Sequence, residues 1–281
     1  MISRLSGAAI RALLVVLMIA TPSLILPGTT ADVAQVVTLI ALFAAALTLF
    51  EYASVYPGLV EFRDAPPFNR VRFGSLFLTI ILLSLMTGNA ITPTTSAFST
   101  MVVSIGTTVG QVIDFPYSPV RLVVLMFPPE APVEHVHLVR DSAGLAYFIS
   151  LFTLALFIII QRVQRWPMRN GDFNVWVNLP TFDPTAGGDV VERLERDARF
   201  NIALGFLLPF LTPAVIKSAT ALFGTVSLDN PQTLIWTVAA WAFLPASLFM
   251  RGIAMGRIAM LITEKRKLSN KDEGNAGLLP V

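Results

Sequence analysis

The sequence predicts an all-α fold, a polytopic transmembrane helical bundle of about six spans. Of its 281 residues, 54% are hydrophobic and only 14% are charged, whereas about 25% of the residues in an average soluble protein are charged. The mean hydropathy of +0.70 agrees with a membrane protein. A bilayer core about 30 Å thick needs ~20 apolar residues in a helix. Six apolar runs meet or approach that length, at 12–27, 34–56, 73–91, 143–161, 202–223 and 233–252.

The positively charged residues predict the orientation of these spans. Lysine and arginine favour cytoplasmic segments of membrane proteins. If the N-terminus lies inside, all but three of the 20 lysines and arginines fall in inner segments. The exceptions are Arg121 and Arg140 outside and Lys217 within a span. We therefore expect both termini in the cytoplasm, and this charge pattern is typical of a bacterial inner membrane. Trp166 and Trp236 fall at predicted interfaces, where tryptophan is enriched.

The first span has an alternative interpretation as a cleaved signal peptide. Arg4 and Arg11 precede a short apolar stretch, and Thr-Thr-Ala follows at 29–31, as in a secretory signal. Cleavage would leave five spans and would not change the topology of the others.

The connections between spans differ in length, and the short ones predict neighbours. The outer turns at 28–33 and 224–232 are short, so spans one and two, and spans five and six, should pack as antiparallel pairs. The remaining chain divides into an outer segment at 92–142, a cytoplasmic loop at 162–201 and a flexible tail at 264–281, attached to one membrane domain at 1–263.

The outer segment contains a predicted amphipathic helix at 98–113, where apolar residues recur at helical spacing. One interpretation places it flat on the outer surface with its apolar face down. Alternatives are a re-entrant helix lining a wet cavity or a further pair of spans. Within it, Gly106 and Gly110 have the spacing that permits close helix contact, as do Gly252 and Gly256 where the sixth helix meets the inner surface.

The cytoplasmic loop predicts a small cap. Alternation from Phe173 to Leu179 is compatible with a short strand. Asp189 can cap a helix from Val190 to about Arg199, whose outer face carries charged i,i+4 pairs.

Absent motifs limit the chemistry. The chain has no cysteine, no histidine within a span, and no P-loop, dinucleotide-binding, zinc-protease or serine-hydrolase signature. We therefore predict no catalytic residue and no cofactor. His135 and His137 are weak candidates for a metal site, because two histidines at i,i+2 face the same way on an extended strand.

Charged side chains within spans are costly, and they are the default functional candidates. Glu51 and Arg251 lie at a similar depth near the inner surface, and they are a candidate structural pair. Lys217 lies in the outer leaflet, from which a lysine can reach the interface.

The fifth span holds the best candidate solute site. Pro209 and Pro213 lack backbone N–H groups, which frees the carbonyls of Gly205 and Pro209 and predicts a kinked or broken helix. Transporters use such breaks to bind ions. The predicted solute-binding residues are Pro209, Thr212, Pro213, Lys217 and Ser218.

Three classes of function follow. We favour a non-catalytic accessory, assembly or scaffold component of a membrane complex, because catalytic constellations are absent from the sequence and buried charges are few. Its partners would be the lipid bilayer and other membrane subunits, and not nucleic acid, because the net charge is only +2. The alternative is a small-solute transporter or channel that uses the fifth span. An intramembrane enzyme is less favoured, since such sites need a carboxylate cluster or a metal.

Overall fold

The computed structural model describes residues 2–93, 96–164, 166–167, 173–183, 185, 187–223 and 228–276. Within these ranges all regular structure is helical. The helices are α1 (Ile2–Ile25), α2 (Ala31–Ala53), α3 (Phe68–Ile91), α4 (Ala97–Ile113), α5 (Pro119–Val124), α6 (Val133–Val163), α7 (Val175–Asn178), α8 (Val190–Phe223) and α9 (Pro231–Ala276).

Six of these helices, α1, α2, α3, α6, α8 and α9, are long and apolar enough to cross a membrane. This confirms the predicted helical membrane bundle. The last span is part of a 46-residue helix, which at 1.5 Å per residue extends about 69 Å, more than twice the bilayer core. The segment from 264, predicted as a cytoplasmic tail, begins within α9, which continues as helix as far as Ala276.

Side-chain oxygens hold the starts of three helices. Thr30 accepts a hydrogen bond from the Val33 N–H at the start of α2, and Asn230 accepts from Gln232 and Thr233 at the start of α9. Asp189 accepts from Val191 at 3.0 Å, as its predicted capping role requires. The helix it caps is not a separate surface helix, because α8 continues unbroken from the cap into the fifth span.

The connections gather at two ends of the bundle. At one end, Gln232 of α9 donates to Ser23 of α1, and Leu26 and Leu228 share one buried cluster. At the other end, the α2–α3 loop and the α6–α8 segment pack on the second half of α9. Following the predicted orientation, we call these the outer and inner ends. Successive connections lie alternately at the two ends, as the predicted topology requires.

The pairs α1–α2 and α8–α9 pack closely, which confirms the neighbours predicted from the short turns. Two glycines bring α8 and α9 together. A Cβ on Gly205 would lie 2.7 Å from the Pro245 carbonyl oxygen, and a Cβ on Gly252 would lie 2.7 Å from the Ala198 carbonyl oxygen. The two helices are therefore in backbone contact at both points.

Helix α4 lies along α6 in the antiparallel direction. Val102 packs in a cluster with Ile149. Two turns further on, a Cβ on Gly110 would lie 2.7 Å from the Asp141 Cα, and a Cβ on Gly144 would lie 2.5 Å from the Gly110 Cα. A helix lying flat on the bilayer would cross a membrane span at a large angle. With α6 spanning from 143 as predicted, this alignment does not fit the flat interpretation of α4, and it leaves both the re-entrant helix and the further pair of spans as predictions.

The face of α4 that contacts the bundle is built from small residues, Ser99, Val102, Gly106 and Gly110. Its large apolar side chains are exposed instead, including Phe98, Met101, Ile105 and Val112. The amphipathic pattern therefore does not identify the packing face of α4. The glycine spacing does, because close approach needs small side chains.

The outer half of the core joins α3, α5, α6 and α9. It contains Ile80, Leu83, Val120, Ala143, Ile235 and Ala239, each fully buried or nearly so. On its inner side, Thr153 of α6 donates to Ser75 of α3 at 2.9 Å. Short hydroxyl side chains at this contact allow the two helices to approach closely and also link them.

A second core closes the inner end. Its large side chains are Phe62, Phe68, Phe157, Trp166 and Met250. Trp166 was expected at the membrane interface, but it is only 1% exposed, and its indole N–H donates to the Ala65 carbonyl at 3.0 Å. The strand considered for 173–179 is also wrong, since residues 175–178 form the short helix α7. For Trp166, the contact with the distant α2–α3 loop decides the outcome.

Candidate functional site

The proline segment of α8 lies in a continuous helix. Proline at 213 removes the N–H that would bond to the Pro209 carbonyl. The Trp241 indole N–H of α9 donates to this carbonyl instead, at 3.2 Å. A side chain of the neighbouring helix thus replaces the missing backbone donor, and the predicted break is repaired at this carbonyl.

An apolar groove of about 590 Å³ lies beside the prolines, between α5, α8 and α9. Thr212 and Pro213 line it, together with Trp236, Trp241 and Thr237. The remaining lining residues are aliphatic or methionine. The groove therefore suits an apolar group, because its described lining offers only two hydroxyls for polar contacts and carries no charge.

The other predicted solute-binding residues have different environments. The Lys217 Nζ donates to the Leu125 carbonyl at 2.5 Å, which ties α8 to the end of α5. The Ser218 hydroxyl donates to the Ala214 carbonyl of its own helix at 2.9 Å. Neither residue lines the groove. The structure thus brings Thr212 and Pro213 to a cavity, and it places Lys217 and Ser218 in other contacts.

The candidate pair of Glu51 and Arg251 is not formed. Glu51 is buried at the end of α2, and its carboxylate accepts hydrogen bonds from the backbone N–H groups of Gly58, Leu59 and Val60, at 3.0 to 3.1 Å through Oε2. Its partner is therefore the loop that follows its own helix. Two charged side chains can pair only if they lie at a similar depth, but similar depth alone does not make a pair. The backbone N–H groups of the following loop are closer to the Glu51 carboxylate than Arg251 is.

Arg251 pairs with Glu61, a residue that the sequence analysis did not single out. Its Nε lies 2.6 Å from Oε2 and its Nη2 lies 2.8 Å from Oε1 of that carboxylate. Thr181 donates to Oε1 at 2.7 Å, and the Asn69 amide donates to the Glu61 carbonyl at 2.7 Å. One residue thus joins α3, α9 and the α6–α8 segment. The available signal was the charged inner loop at 57–72, which contains Glu61.

The electrostatics of Glu61 follow from these contacts. Burial alone would raise the pKa of the carboxyl. The hydrogen bonds from Arg251 and Thr181 and the nearby positive charges outweigh burial, and the pKa of Glu61 lies below its usual value. The carboxylate is therefore ionised at neutral pH, as a partner for the guanidinium must be.

Arg63 fixes the same loop from the other side. Its Nη1 donates to the carbonyls of Glu51 and Ser54, at 3.1 and 2.7 Å, and it pairs with Asp64 at 3.1 Å. Its side chain is only 6% exposed. The guanidinium thus donates hydrogen bonds to carbonyls at the end of α2, where helical carbonyls lack backbone partners.

The two histidines do not lie on a strand. Both belong to the first turns of α6, where positions two apart point to different sides of the helix. His135 contacts the Phe127 ring edge-on and lies 3.8 Å from Asp229. Among the residues that the structure describes, no group of three metal-binding side chains comes together.

Comparison with known proteins gives no assignment: no family model, no curated protein and no solved structure matches this chain.

Proposed function

We propose that this chain is a non-catalytic integral membrane protein, an accessory, assembly or scaffold component of a membrane complex in a bacterial inner membrane. One observation carries the proposal. Several polar groups at the predicted sites are used to hold the fold, as in the Arg251–Glu61 pair and the Trp241–Pro209 hydrogen bond. Polar groups committed to internal contacts cannot also bind a solute without breaking them.

The length of α9 supports the same proposal. The helix continues beyond the bilayer core, and Arg266 pairs with Asp189, the residue that caps α8, at 2.9 Å. Lys265 and Lys267 flank this arginine and are exposed. An extended helix with exposed charged residues is suited to contact other subunits.

Transport is the second candidate, and the groove beside Thr212 and Pro213 favours it. Its apolar lining is suited to a hydrophobic solute rather than to an ion, because an ion would have to lose its hydration without replacement ligands. Under this alternative, Trp241 and Thr212 would be the contact residues, and Lys217 would lie at one side.

The first experiment is extraction of the chain at native expression in mild detergent or nanodiscs, followed by native mass spectrometry. A stoichiometric complex with other proteins is the expected result. In a matched pair of variants, truncation after Ile262 should release the partners, whereas Lys217→Ala should retain them. A lone chain or homo-oligomer in every preparation would contradict the proposal, and solute flux lost in Thr212→Trp would then establish transport.

A further inference from the structure

A second cavity, of about 600 Å³, lies at the inner end between α6, α8 and α9. Three arginines line it, one from each helix: Arg162, Arg199 and Arg257. Glu195 is the single carboxylate in the lining. The described lining is therefore positively charged at neutral pH, and a cavity of this character attracts anions.

The carboxylates in the described part of the chain do not neutralise Arg162 or Arg257. Arg199 lies 3.8 Å from Glu195, and both side chains are at least half exposed, so this pair is weak. Of the described carboxylates, none forms an ion pair with Arg162 or Arg257. Two guanidinium groups thus keep their full hydrogen-bonding capacity for a ligand.

Gln161 gives an independent indication of a ligand. Its side chain lines the cavity, the residue is only 8% exposed, and its amide nitrogen has no hydrogen-bond partner in the described part of the chain. A buried polar group without a partner is costly to the folded state. A rotation of the Gln161 side chain toward the cavity would bring this donor to an acceptor oxygen there.

The rest of the lining is apolar and small. Ile202, Ile253 and Met260 form part of the wall, and Gly252 and Gly256 also line it. The three arginines stand at the inner ends of spans four, five and six, where the headgroups of the inner leaflet lie in the predicted orientation. Positive charge beside an apolar wall at this depth matches an amphiphile with an anionic head.

We propose that this cavity binds an anionic phospholipid of the inner leaflet. The phosphate accepts hydrogen bonds from Arg162, Arg199 and Arg257, the Gln161 amide donates to a headgroup oxygen, and an acyl chain follows the wall formed by Ile202 and Ile253. Arginine is suited to the phosphate because its planar guanidinium can donate two bonds at once. The inference does not depend on the proposed function, because an accessory subunit and a transporter can each carry such a lipid.

The test uses the delipidated full-length chain in a neutral detergent. Short-chain phosphatidylglycerol, the matching phosphatidylcholine, inorganic phosphate and glycerol phosphate are titrated separately, and the thermal midpoint and affinity are measured. Phosphatidylglycerol alone should raise the midpoint. Equal stabilisation by the two lipids would overturn the headgroup site, and equal stabilisation by inorganic phosphate would show that the site takes a soluble anion instead.

Variants locate the effect. Arg162→Gln, Arg199→Gln and Arg257→Gln should each weaken phosphatidylglycerol binding about five- to tenfold, as expected for the loss of one charged contact with a lipid phosphate. Arg196→Gln is the matched control, because Arg196 has the same charge on the same helix and its side chain is 72% exposed outside the cavity. An equal loss of phosphatidylglycerol affinity in Arg196→Gln would show that the effect comes from general surface charge, and it would overturn the proposed site.

Gln161→Leu distinguishes a loss of lipid binding from misfolding of the protein. It removes the unpartnered amide at nearly constant volume, so the lipid-free midpoint should rise or stay unchanged while phosphatidylglycerol binding falls. A variant that is less stable without lipid, with unchanged lipid affinity, would contradict the assignment of Gln161 to the site.

Discussion

Arg251 of α9 and Glu61 of the α2–α3 loop form a two-point ion pair, although 190 residues separate them in the chain. Their side chains are 25% and 12% exposed, so water screens the pair less than it screens a surface pair. With Thr181 on the same carboxylate, the pair fixes the inner loops against the last span.

Removing the arginine should therefore destabilise the protein. Arg251→Met leaves the largely buried Glu61 carboxylate without its main partner, and we expect a loss of about 2 kcal/mol in the free energy of unfolding. Titration with sodium dodecyl sulfate in mixed micelles measures this loss. Glu195→Gln, which removes one partner of an exposed pair, is the control and should cost less than about 0.5 kcal/mol. If the two variants lose the same free energy of unfolding, the Arg251–Glu61 pair contributes no more than an exposed pair.

The same carboxylate predicts a dependence on pH. The pKa of Glu61 in the folded protein lies below the reference value of 4.5, so the unfolded chain takes up the proton first as the pH falls. The stability that ionised Glu61 contributes is fully present above the unfolded pKa and is lost as the pH falls through the folded pKa. The stability difference between the wild type and Glu61→Gln should be constant near pH 7 and should shrink below about pH 4.5. A difference that does not change between pH 7 and pH 3 would refute this account.

The hydrogen bond between Trp241 and the Pro209 carbonyl can be tested by a double-mutant cycle. Trp241→Phe removes the donor and should cost about 1 kcal/mol. Pro213→Ala supplies the backbone N–H that the proline lacks, so the carbonyl regains a helical partner. Trp241→Phe should then cost measurably less in the Pro213→Ala background. If the two costs are the same, the indole does not act through this carbonyl.

The contact between α4 and α6 should be sensitive to a single methyl group. A Cβ on Gly144 would lie 2.5 Å from the Gly110 Cα, whereas a Cβ on Gly74 of α3 has no neighbour within 4 Å. Gly144→Ala should therefore cost about 1–3 kcal/mol through overpacking, and Gly74→Ala should be neutral or slightly stabilising. Cross-linking between cysteines placed at Val102 and Ile149 would report separation of the two helices. Unchanged cross-linking and stability in Gly144→Ala would argue against the antiparallel register.

The sequence predicted the helices well where a single physical requirement determines the local structure. An apolar run long enough for the bilayer has few alternatives to a transmembrane helix, so the sequence alone predicts six spans. Short connections predicted the α1–α2 and α8–α9 pairs for a similar reason. The glycine spacing at Gly106 and Gly110 also pointed to close contact, although it could not identify α6 as the partner.

Partner choice for polar groups required the tertiary structure. Glu51 and Arg251 lie at similar depth, and sequence reasoning paired them, but the N–H groups of Gly58, Leu59 and Val60 are closer to Glu51, and Arg251 meets Glu61. Trp166 matched the composition of an interface, yet it became the centre of the inner core. A hydrogen bond depends on ångström distances between segments far apart in the chain, whereas a membrane span depends only on local hydrophobicity and length. The sequence by itself therefore determined what enters the membrane, and only the tertiary structure decided which side chains meet there.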